Sequence, residues 1–177
     1  MVHTFKQVTG NHGRKSALIT KEGGRKNVEL VLFKKDDGIL KVSLNRTSVL
    51  NAINSDVIKA LESGLTTYIE DRSIKALMLY GEGHCFAAGA DIKELASLDE
   101  EGIRQFHSMR ERTFSLLEKF PSPTIATIER FALGTGLELA LCCDFRIACE
   151  GALLGVPSAK LGVVESYEYI NRVVRAV

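Results

Sequence analysis

Residues 131–144 hold the stretch that decides the fold, Phe131-Ala-Leu-Gly-Thr-Gly-Leu-Glu-Leu-Ala-Leu-Cys-Cys-Asp144. A short apolar run predicts a strand, the two glycines predict a tight turn, and the residues that follow predict a helix over 136–143. Residues 81–95 repeat this order, because small residues follow the end of a strand and Ala90-Asp91 begins a short helix. Strands that alternate with helices predict an α/β protein with a mostly parallel sheet, whose loops at the strand carboxyl ends hold the site.

Hydrophobic periodicity extends this pattern in both directions. β-rich runs at 28–33 and 39–44 flank a Lys-Lys-Asp-Asp-Gly turn and predict a hairpin. Further predicted elements are a helix over 55–71 capped by Ser55, a strand over 74–80, a helix over 100–120 ended by Pro121, strands over 124–128 and 145–148, and a helix over 165–177. The apolar stripe of the last helix stops without a cap, which predicts a chain that ends inside a helix.

Length and composition fit one globular domain. The chain has 177 residues, of which 45% are hydrophobic and 25% charged, values that exclude a disordered or collagen-like chain. Residues 1–27 carry six basic side chains and one acidic side chain and lack periodicity, so we interpret them as a mobile basic arm before a core domain over 28–177. The body is mildly acidic and has no apolar run long enough for a membrane span, so we expect neither nucleic acid nor a membrane as its partner.

The cysteines and histidines do not form a pattern typical of a metal site. Cys85, Cys142, Cys143 and Cys149 follow no Cys-x-x-Cys spacing, and the four histidines are scattered. Free buried thiols are typical of a reducing compartment, so we expect a cytoplasmic protein without a bound metal.

Both glycine-rich turns present backbone N–H groups at the start of a helix. Two such groups aimed at one point form an oxyanion hole, which stabilises a thioester carbonyl as it becomes an enolate. Glu138 lies three residues after Thr135, on the same helix face, where partial desolvation raises the pKa of a carboxyl and suits it to proton transfer. A glutamate satisfied by an ion pair in the core is the alternative reading.

These two stretches resemble the crotonase (enoyl-CoA hydratase/isomerase) superfamily. The motifs are Phe86-Ala-Ala-Gly-Ala-Asp-Ile-Lys-Glu94 and Ala132-Leu-Gly-Thr-Gly-Leu-Glu-Leu-Ala140, with Cys143-Asp144-Phe-Arg-Ile-Ala148 following. The similarity extends from residue 28 to 177. It implies a crotonase-like spiral of ββα units, an acyl-CoA thioester as ligand, and trimers or dimers of trimers, whereas the helices that follow the core in this family are absent.

The resemblance also implies roles for individual residues. The N–H groups of Ala90 and Thr135 would polarise the thioester carbonyl, and Glu138 would match the first of two hydratase glutamates. The residues that would contact the acyl-CoA are Asn51, Ala52, Ala88, Ala90, Asp91, Ile92, Lys93, Gly134 and Ser158. The family implies no cofactor other than the coenzyme A of the substrate.

Several positions depart from the family pattern. Ser158 stands where hydratases carry their second glutamate, and a hydroxyl does not replace a carboxylate in acid–base catalysis. Glu165 stands near the acid position of related naphthoate synthases and isomerases, so it is the candidate for the missing carboxylate; a glutamate that simply favours a helix N-terminus is the alternative. Thr135 replaces a glycine, and Ser48 replaces a lysine that contacts coenzyme A. Arg104, Arg110 and Arg112 are interpreted as a solvated helix face.

Three hypotheses of function follow. The first is an acyl-CoA enzyme that hydrates or isomerises an enoyl-CoA through Ala90, Thr135 and Glu138, with Glu165 as a further catalytic candidate. The second is a decarboxylase or C–C hydrolase of the same superfamily, for which one acid and the hole suffice. The third is a non-catalytic acyl-CoA-binding subunit, favoured by Ser158 and the missing C-terminal helices.

Overall fold

A computed structural model describes residues 29–176, so the predicted arm over 1–27 lies outside the described residues. Seven strands and five α-helices follow one another: β1 (Val31–Asp36), β2 (Ile39–Leu44), α1 (Ser55–Tyr68), β3 (Ala76–Gly81), α2 (Ile92–Leu95), α3 (Glu100–Glu118), β4 (Thr124–Ile128), β5 (Phe131–Leu133), α4 (Thr135–Leu141), β6 (Phe145–Ala148), β7 (Leu153–Gly155) and α5 (Tyr167–Ala176). The predicted alternation of strands and helices is confirmed.

The main sheet has five strands in the order β1-β2-β3-β4-β6. β1 and β2 form the predicted hairpin, antiparallel, with Asp36 opposite Ile39. Asp37 and Gly38 both take positive φ angles, 46° and 78°, as a two-residue hairpin turn requires. The remaining neighbours pair in parallel, so the sheet is mostly parallel, as predicted.

A second layer of short extended segments accompanies the main sheet. β5 pairs with β7, Ala87 pairs with Ala132, and Ile53 pairs with Ala90, all in parallel. Each of β2, β3, β4 and β6 is therefore followed by one short segment in the second layer. The chain winds as a spiral in which successive turns stack on one another, as the family resemblance implies.

The helix boundaries differ slightly from the predicted ones. α1 is capped by Asn54, whose side-chain oxygen accepts the Val57 N–H at 2.9 Å, so the prediction of Ser55 as the cap is wrong. Asn54 has the extended backbone of a cap residue, whereas Ser55 is already helical. α4 begins one residue earlier than predicted, at Thr135, and α5 begins at Tyr167 rather than at Glu165.

The core lies between the main sheet and the helices α1 and α3. Side chains from β1 and β2, such as Phe33 and Leu40, pack with Leu61 of α1 and with Phe106 and Phe114 of α3. Alternate positions of β4 are buried, which gives that strand one face in the core. No helix in residues 29–176 is long and apolar enough to cross a membrane.

The last helix turns its polar residues inward. Tyr169 and Arg172 of α5 are buried, whereas Ile170 and Val174 of the predicted apolar stripe are exposed. The buried face of α5 packs on α4. This contact brings the end of the described chain onto the predicted site.

Candidate functional site

The glycine-rich turn before α4 lies against the extended segment 86–91. The Leu133 N–H donates to the Ala87 carbonyl at 3.2 Å, and the Ile53 N–H donates to the Gly89 carbonyl at 2.8 Å. The parallel bridge pairs Ala87 with Ala132. The first turn of α4 therefore lies against this segment at Ala87, which Gly136 approaches closely.

Glycine permits this close approach. A Cβ atom on Gly136 would lie 2.5 Å from the Ala87 carbonyl oxygen and 2.8 Å from the Ala87 Cβ. Gly89 takes a φ of 116°, and a Cβ there would lie 3.1 Å from the Leu133 carbonyl oxygen. Gly136 is therefore required because a side chain has no space there. Gly89 is required both for space and for its positive φ angle.

The two amides predicted for an oxyanion hole have no backbone acceptor within residues 29–176. The N–H groups beside them are occupied, because Asp91 donates to Ile53 and Gly134 donates to Gly155, whereas Ala90 and Thr135 donate to no backbone carbonyl. As the first residue of α4, Thr135 has no acceptor within its own helix. An amide at a helix N-terminus, such as that of Thr135, suits the binding of a carbonyl oxygen that gains negative charge.

Glu138 is fully buried beside two arginines. Its Oε1 accepts from Arg172 Nη1 at 2.8 Å, and its Oε2 lies 3.3 Å from Arg110 Nε. Its side-chain exposure is 0%. The ion-pair alternative stated for Glu138 thus describes its contacts in this structure.

Arg172 is shared among three carboxylates. It contacts Glu111 at 2.6 Å and Glu118 at 3.0 Å as well as Glu138. One positive charge therefore lies beside three acidic groups, and the negative charge of Glu111 opposes the effect of Arg172 on the pKa of Glu138. Burial raises the pKa of Glu138 to about 7, while the charges of Arg110 and Arg172 act in the opposite direction.

The prediction that Arg110 belongs to a solvated helix face is wrong. Arg110 is buried, and its Nε faces Glu138. The spacing of Arg110 in the sequence indicates its burial, because it lies four residues after Phe106 and four before Phe114, on the buried stripe of α3. Arg104 and Arg112 are exposed as predicted. The sequence pattern also gave no sign of Tyr169 and Arg172, because the apolar stripe of α5 lies on the opposite face of the helix.

The two candidates for the second carboxylate position contact each other. The Ser158 hydroxyl donates to Glu165 Oε1. Ser158 is buried in a short 3-10 turn, Pro157–Leu161, and Glu165 is half-buried just before α5. The charge of Glu165 contributes to raising the pKa of Glu138, so the two carboxyls share one electrostatic environment.

The residues predicted to contact the acyl-CoA divide into exposed and structural positions. Ile92 is 60% exposed, Lys93 is exposed, and Ala52, Ala88, Ala90 and Gly134 are half-buried. The Asn51 side chain is buried and holds loops together, because it accepts from the Arg46 N–H and donates to the carbonyls of Glu82 and Cys85. The Asp91 carboxylate caps α2 and pairs with Arg46 at 3.0 Å.

Within the part of the chain that the structure describes, no group of three or more His, Cys, Asp or Glu side chains is placed to hold a metal ion. Burial raises the pKa of the Cys143 thiol to about 12, so it stays protonated at neutral pH.

Comparisons with known proteins agree with the observed fold and with the family resemblance of the motifs. A profile of the enoyl-CoA hydratase/isomerase family matches residues 34–177. The chain is 34% identical over 150 residues to the crotonyl-CoA hydratase of Syntrophomonas wolfei, covering 84% of this chain and 58% of that protein. It is 35% identical over 148 residues to the short-chain-enoyl-CoA hydratase of Clostridium acetobutylicum, covering 83% and 57% respectively.

Solved structures show the same fold. A crystal structure of an enoyl-CoA hydratase from Bacillus anthracis superposes with a TM-score of 0.79 at 36% identity, covering 82% of this chain and 57% of that one. An enoyl-CoA hydratase/carnithine racemase from Magnetospirillum magneticum gives a TM-score of 0.80 at 32% identity, covering 84% and 57%. The chain thus spans less than two thirds of the length of these relatives. By its sequence motifs, its stacked ββα spiral and these matches, the chain belongs to the enoyl-CoA hydratase/isomerase family.

Proposed function

We propose that the protein acts on an acyl-CoA thioester, hydrating or isomerising an enoyl-CoA through a stabilised enolate. The observation that supports the proposal is that the Ala90 N–H and the Thr135 N–H donate to no backbone carbonyl, while α4, which carries Thr135, packs on the segment 86–91 that contains Ala90. A thioester carbonyl bound there gains negative charge when a proton leaves or a nucleophile adds, and the two donors stabilise that charge.

Glu138 supplies the proton transfer in this proposal. With its pKa raised to about 7, both of its protonation states are populated near neutral pH, as a group that takes and returns a proton requires. In isomerisation it removes a proton from C2 of a 3-enoyl-CoA, and a proton returned to C4 completes the shift of the double bond. In hydration, water adds its hydroxyl group to C3 and a proton is added to C2, with Glu165 as the second carboxylate.

The residues that we propose for coenzyme A binding are those that the family resemblance implies. We assign the acyl-CoA to a surface along Ala52, Ala88, Ala90, Asp91, Ile92, Lys93 and Gly134, with Asn51 and Ser158 contributing from buried positions. Coenzyme A enters as part of the substrate, and the proposal includes no further cofactor. We also propose that the protein forms a homo-oligomer, either a trimer or a hexamer, and that it is located in the cytoplasm. The four unpaired cysteines support the cytoplasmic location.

A non-catalytic acyl-CoA-binding protein is the second candidate. It is favoured by the burial of Glu138 between Arg110 and Arg172, because a carboxylate held by two guanidinium groups is less free to exchange protons with a ligand. In this second candidate function, the amides of Ala90 and Thr135 bind the thioester, but no reaction follows.

Mass spectrometry of thioesters in heavy water tests the proposal. The protein is incubated with 2-enoyl-CoA and 3-enoyl-CoA substrates of several chain lengths, starting with crotonyl-CoA, the substrate named for one relative. Gain of one heavy water indicates hydration, and conversion of a 3-enoyl to a 2-enoyl thioester with deuterium uptake indicates isomerisation. We expect Glu138→Gln to slow either reaction about a hundredfold or more.

Glu150→Gln is the matched control, because Glu150 is an exposed glutamate outside the site, and it should react like the unaltered protein. Thioester binding without turnover supports the second candidate. Turnover at full rate in Glu138→Gln overturns the role of Glu138, and the absence of both binding and turnover overturns the proposed function.

A further inference from the structure

The hydroxyl of Tyr169 contacts the peptide group that carries one of the two proposed hole amides. Its phenolic oxygen lies 2.7 Å from the Gly134 carbonyl oxygen and donates to it. The same carbonyl accepts the Glu138 N–H at 3.0 Å. Tyr169 is 1% exposed, so this hydroxyl is buried and satisfied by the carbonyl. Burial raises the pKa of the Tyr169 phenol, with the charges of Glu165 and Glu138 acting in the same direction, which keeps the hydroxyl a donor.

The carbonyl of Gly134 and the N–H of Thr135 belong to one planar peptide group. In a trans peptide these two groups point in opposite directions. A hydrogen bond that holds the carbonyl toward α5 therefore holds the N–H on the opposite side, away from α5.

The backbone at Gly134 allows this peptide to turn unless the two hydrogen bonds to its carbonyl, from the Glu138 N–H and from the Tyr169 hydroxyl, hold it. Gly134 has φ 49° and ψ −124°, and a Cβ placed there would meet no atom within 4 Å. The position therefore depends on glycine for its backbone angle rather than for space. Because glycine has the widest choice of backbone angles, a fixed peptide orientation at this residue depends on hydrogen bonds to the carbonyl.

We propose that Tyr169 is a positioning residue for the oxyanion hole: its hydroxyl fixes the Gly134–Thr135 peptide so that the Thr135 N–H points at the thioester carbonyl, and polarises that peptide. A carbonyl that accepts a hydrogen bond withdraws electron density from its own amide, which makes the N–H a stronger donor. This inference rests on the proposed function, because it assigns a purpose to the same amide.

The placement of Tyr169 on α5 couples the hole to Glu138. Arg172 lies three residues after Tyr169, on the same face of α5, and contacts Glu138. One helix face thus holds both the peptide before the Thr135 amide and the carboxylate one turn further along α4. A Tyr169 that only anchored α5 would affect stability and leave the polarity of a bound thioester unchanged.

Infrared spectroscopy of a bound thioester separates these roles. The probe is butyryl-CoA labelled with carbon-13 at the thioester carbonyl, whose stretching frequency falls as hydrogen bonds to the oxygen strengthen. We expect the unaltered protein to lower this frequency and Tyr169→Phe to reduce the shift, by up to about half if the Thr135 N–H no longer points at the oxygen and by less if it is only weakened as a donor. Where the protein turns over, kcat should fall about tenfold in Tyr169→Phe with KM changed less than about twofold.

Tyr167→Phe is the matched control, because Tyr167 lies on the same helix but is 74% exposed, and it should leave the shift unchanged. If Tyr169→Phe does not fold, 3-fluorotyrosine at position 169 keeps the hydroxyl and makes it a stronger donor, so the shift should grow. A shift that is the same in Tyr169→Phe as in the unaltered protein, or that does not grow with 3-fluorotyrosine, overturns the role of Tyr169. No shift in the unaltered protein overturns the oxyanion hole itself.

Discussion

Glu138 shows how the meaning of one residue depends on its neighbours. A buried carboxylate loses its hydration, and the two arginines beside it offset only part of that loss, because the negative charges of Glu111 and Glu165 act against them. Neither Arg110 Nε nor Glu138 Oε2 has a hydrogen-bond partner, although they lie 3.3 Å apart. The balance between desolvation and attraction at Glu138 sets its charge at neutral pH.

The raised pKa of Glu138 predicts a pH dependence of stability. The folded protein keeps the proton up to about pH 7, whereas the unfolded chain loses it near pH 4.5. Between these values the folded state binds more protons, so the contribution of Glu138 to the free energy of unfolding falls as the pH rises. The loss is at most about 3 kcal/mol, since one pH unit in that interval corresponds to about 1.4 kcal/mol. Urea unfolding at pH 5 and pH 8 measures it.

Glu138→Gln provides the reference, because glutamine has the shape of the protonated acid and does not titrate. Relative to this variant, the unaltered protein should lose stability from pH 5 to pH 8. A relative gain in stability over the same range would instead mean that Arg110 and Arg172 hold Glu138 ionised in the folded protein.

The helix α4 is held from two sides. The segment 86–91 contacts its first turn through main-chain atoms, and α5 contacts it through Tyr169 and Arg172. This short helix carries both Thr135 and Glu138, so its position decides the geometry of the whole candidate site.

Gly136→Ala should destabilise the protein by about 2–3 kcal/mol, although alanine favours a helix over glycine by about 1 kcal/mol. The new Cβ would lie 2.5 Å from the Ala87 carbonyl oxygen, a backbone atom that moves only if α4 separates from the segment 86–91. The midpoint of thermal or urea unfolding measures the change.

Gly155→Ala is the control for this experiment, because a Cβ on Gly155 would meet only Leu133 Cδ2, at 3.7 Å, and no positive φ is involved. We expect its effect to stay below about 1 kcal/mol. Equal effects of the two substitutions would contradict the close packing of α4.

The whole molecule has an uneven surface. Large apolar side chains of the last third of the chain are exposed: Phe145, Ile147, Leu153, Leu154, Val156, Leu161, Val163, Val164, Tyr167, Ile170 and Val174. They lie on β6, β7, the 3-10 turn and α5, and at Val156, Val163 and Val164 in the connecting residues on either side of that turn. Exposed apolar surface on this scale is typical of a protein–protein interface.

We therefore predict that the protein self-associates. Light scattering over a range of concentrations should give a mass above the 19.4 kDa of one chain. Substituting lysine at Val164 and Val174 together should reduce that mass, because Val164 is 91% exposed and charge disfavours burial in an interface. Val49→Lys, at an exposed valine before α1, should leave it unchanged. A single-chain mass at every concentration would contradict the prediction.

Local pattern was enough for most of the fold. The hairpin at Asp37-Gly38, the strands Thr124–Ile128 and Phe145–Ala148 and the helix α3 follow from alternation, helical spacing and turn residues. β7 was missed, since its three residues give too short a pattern to recognise.

The sequence also determined the family and the position of the two glycine-rich turns, because motifs, periodicity and turn chemistry are carried by residues that are neighbours along the chain. Only the tertiary structure decided that Arg110 is buried, that Glu138 is paired, and that Tyr169 reaches Gly134. These contacts join residues that are 28 to 35 positions apart in the chain. The burial and charge of such groups depend on how α3, α4 and α5 pack together, and no local pattern records that packing.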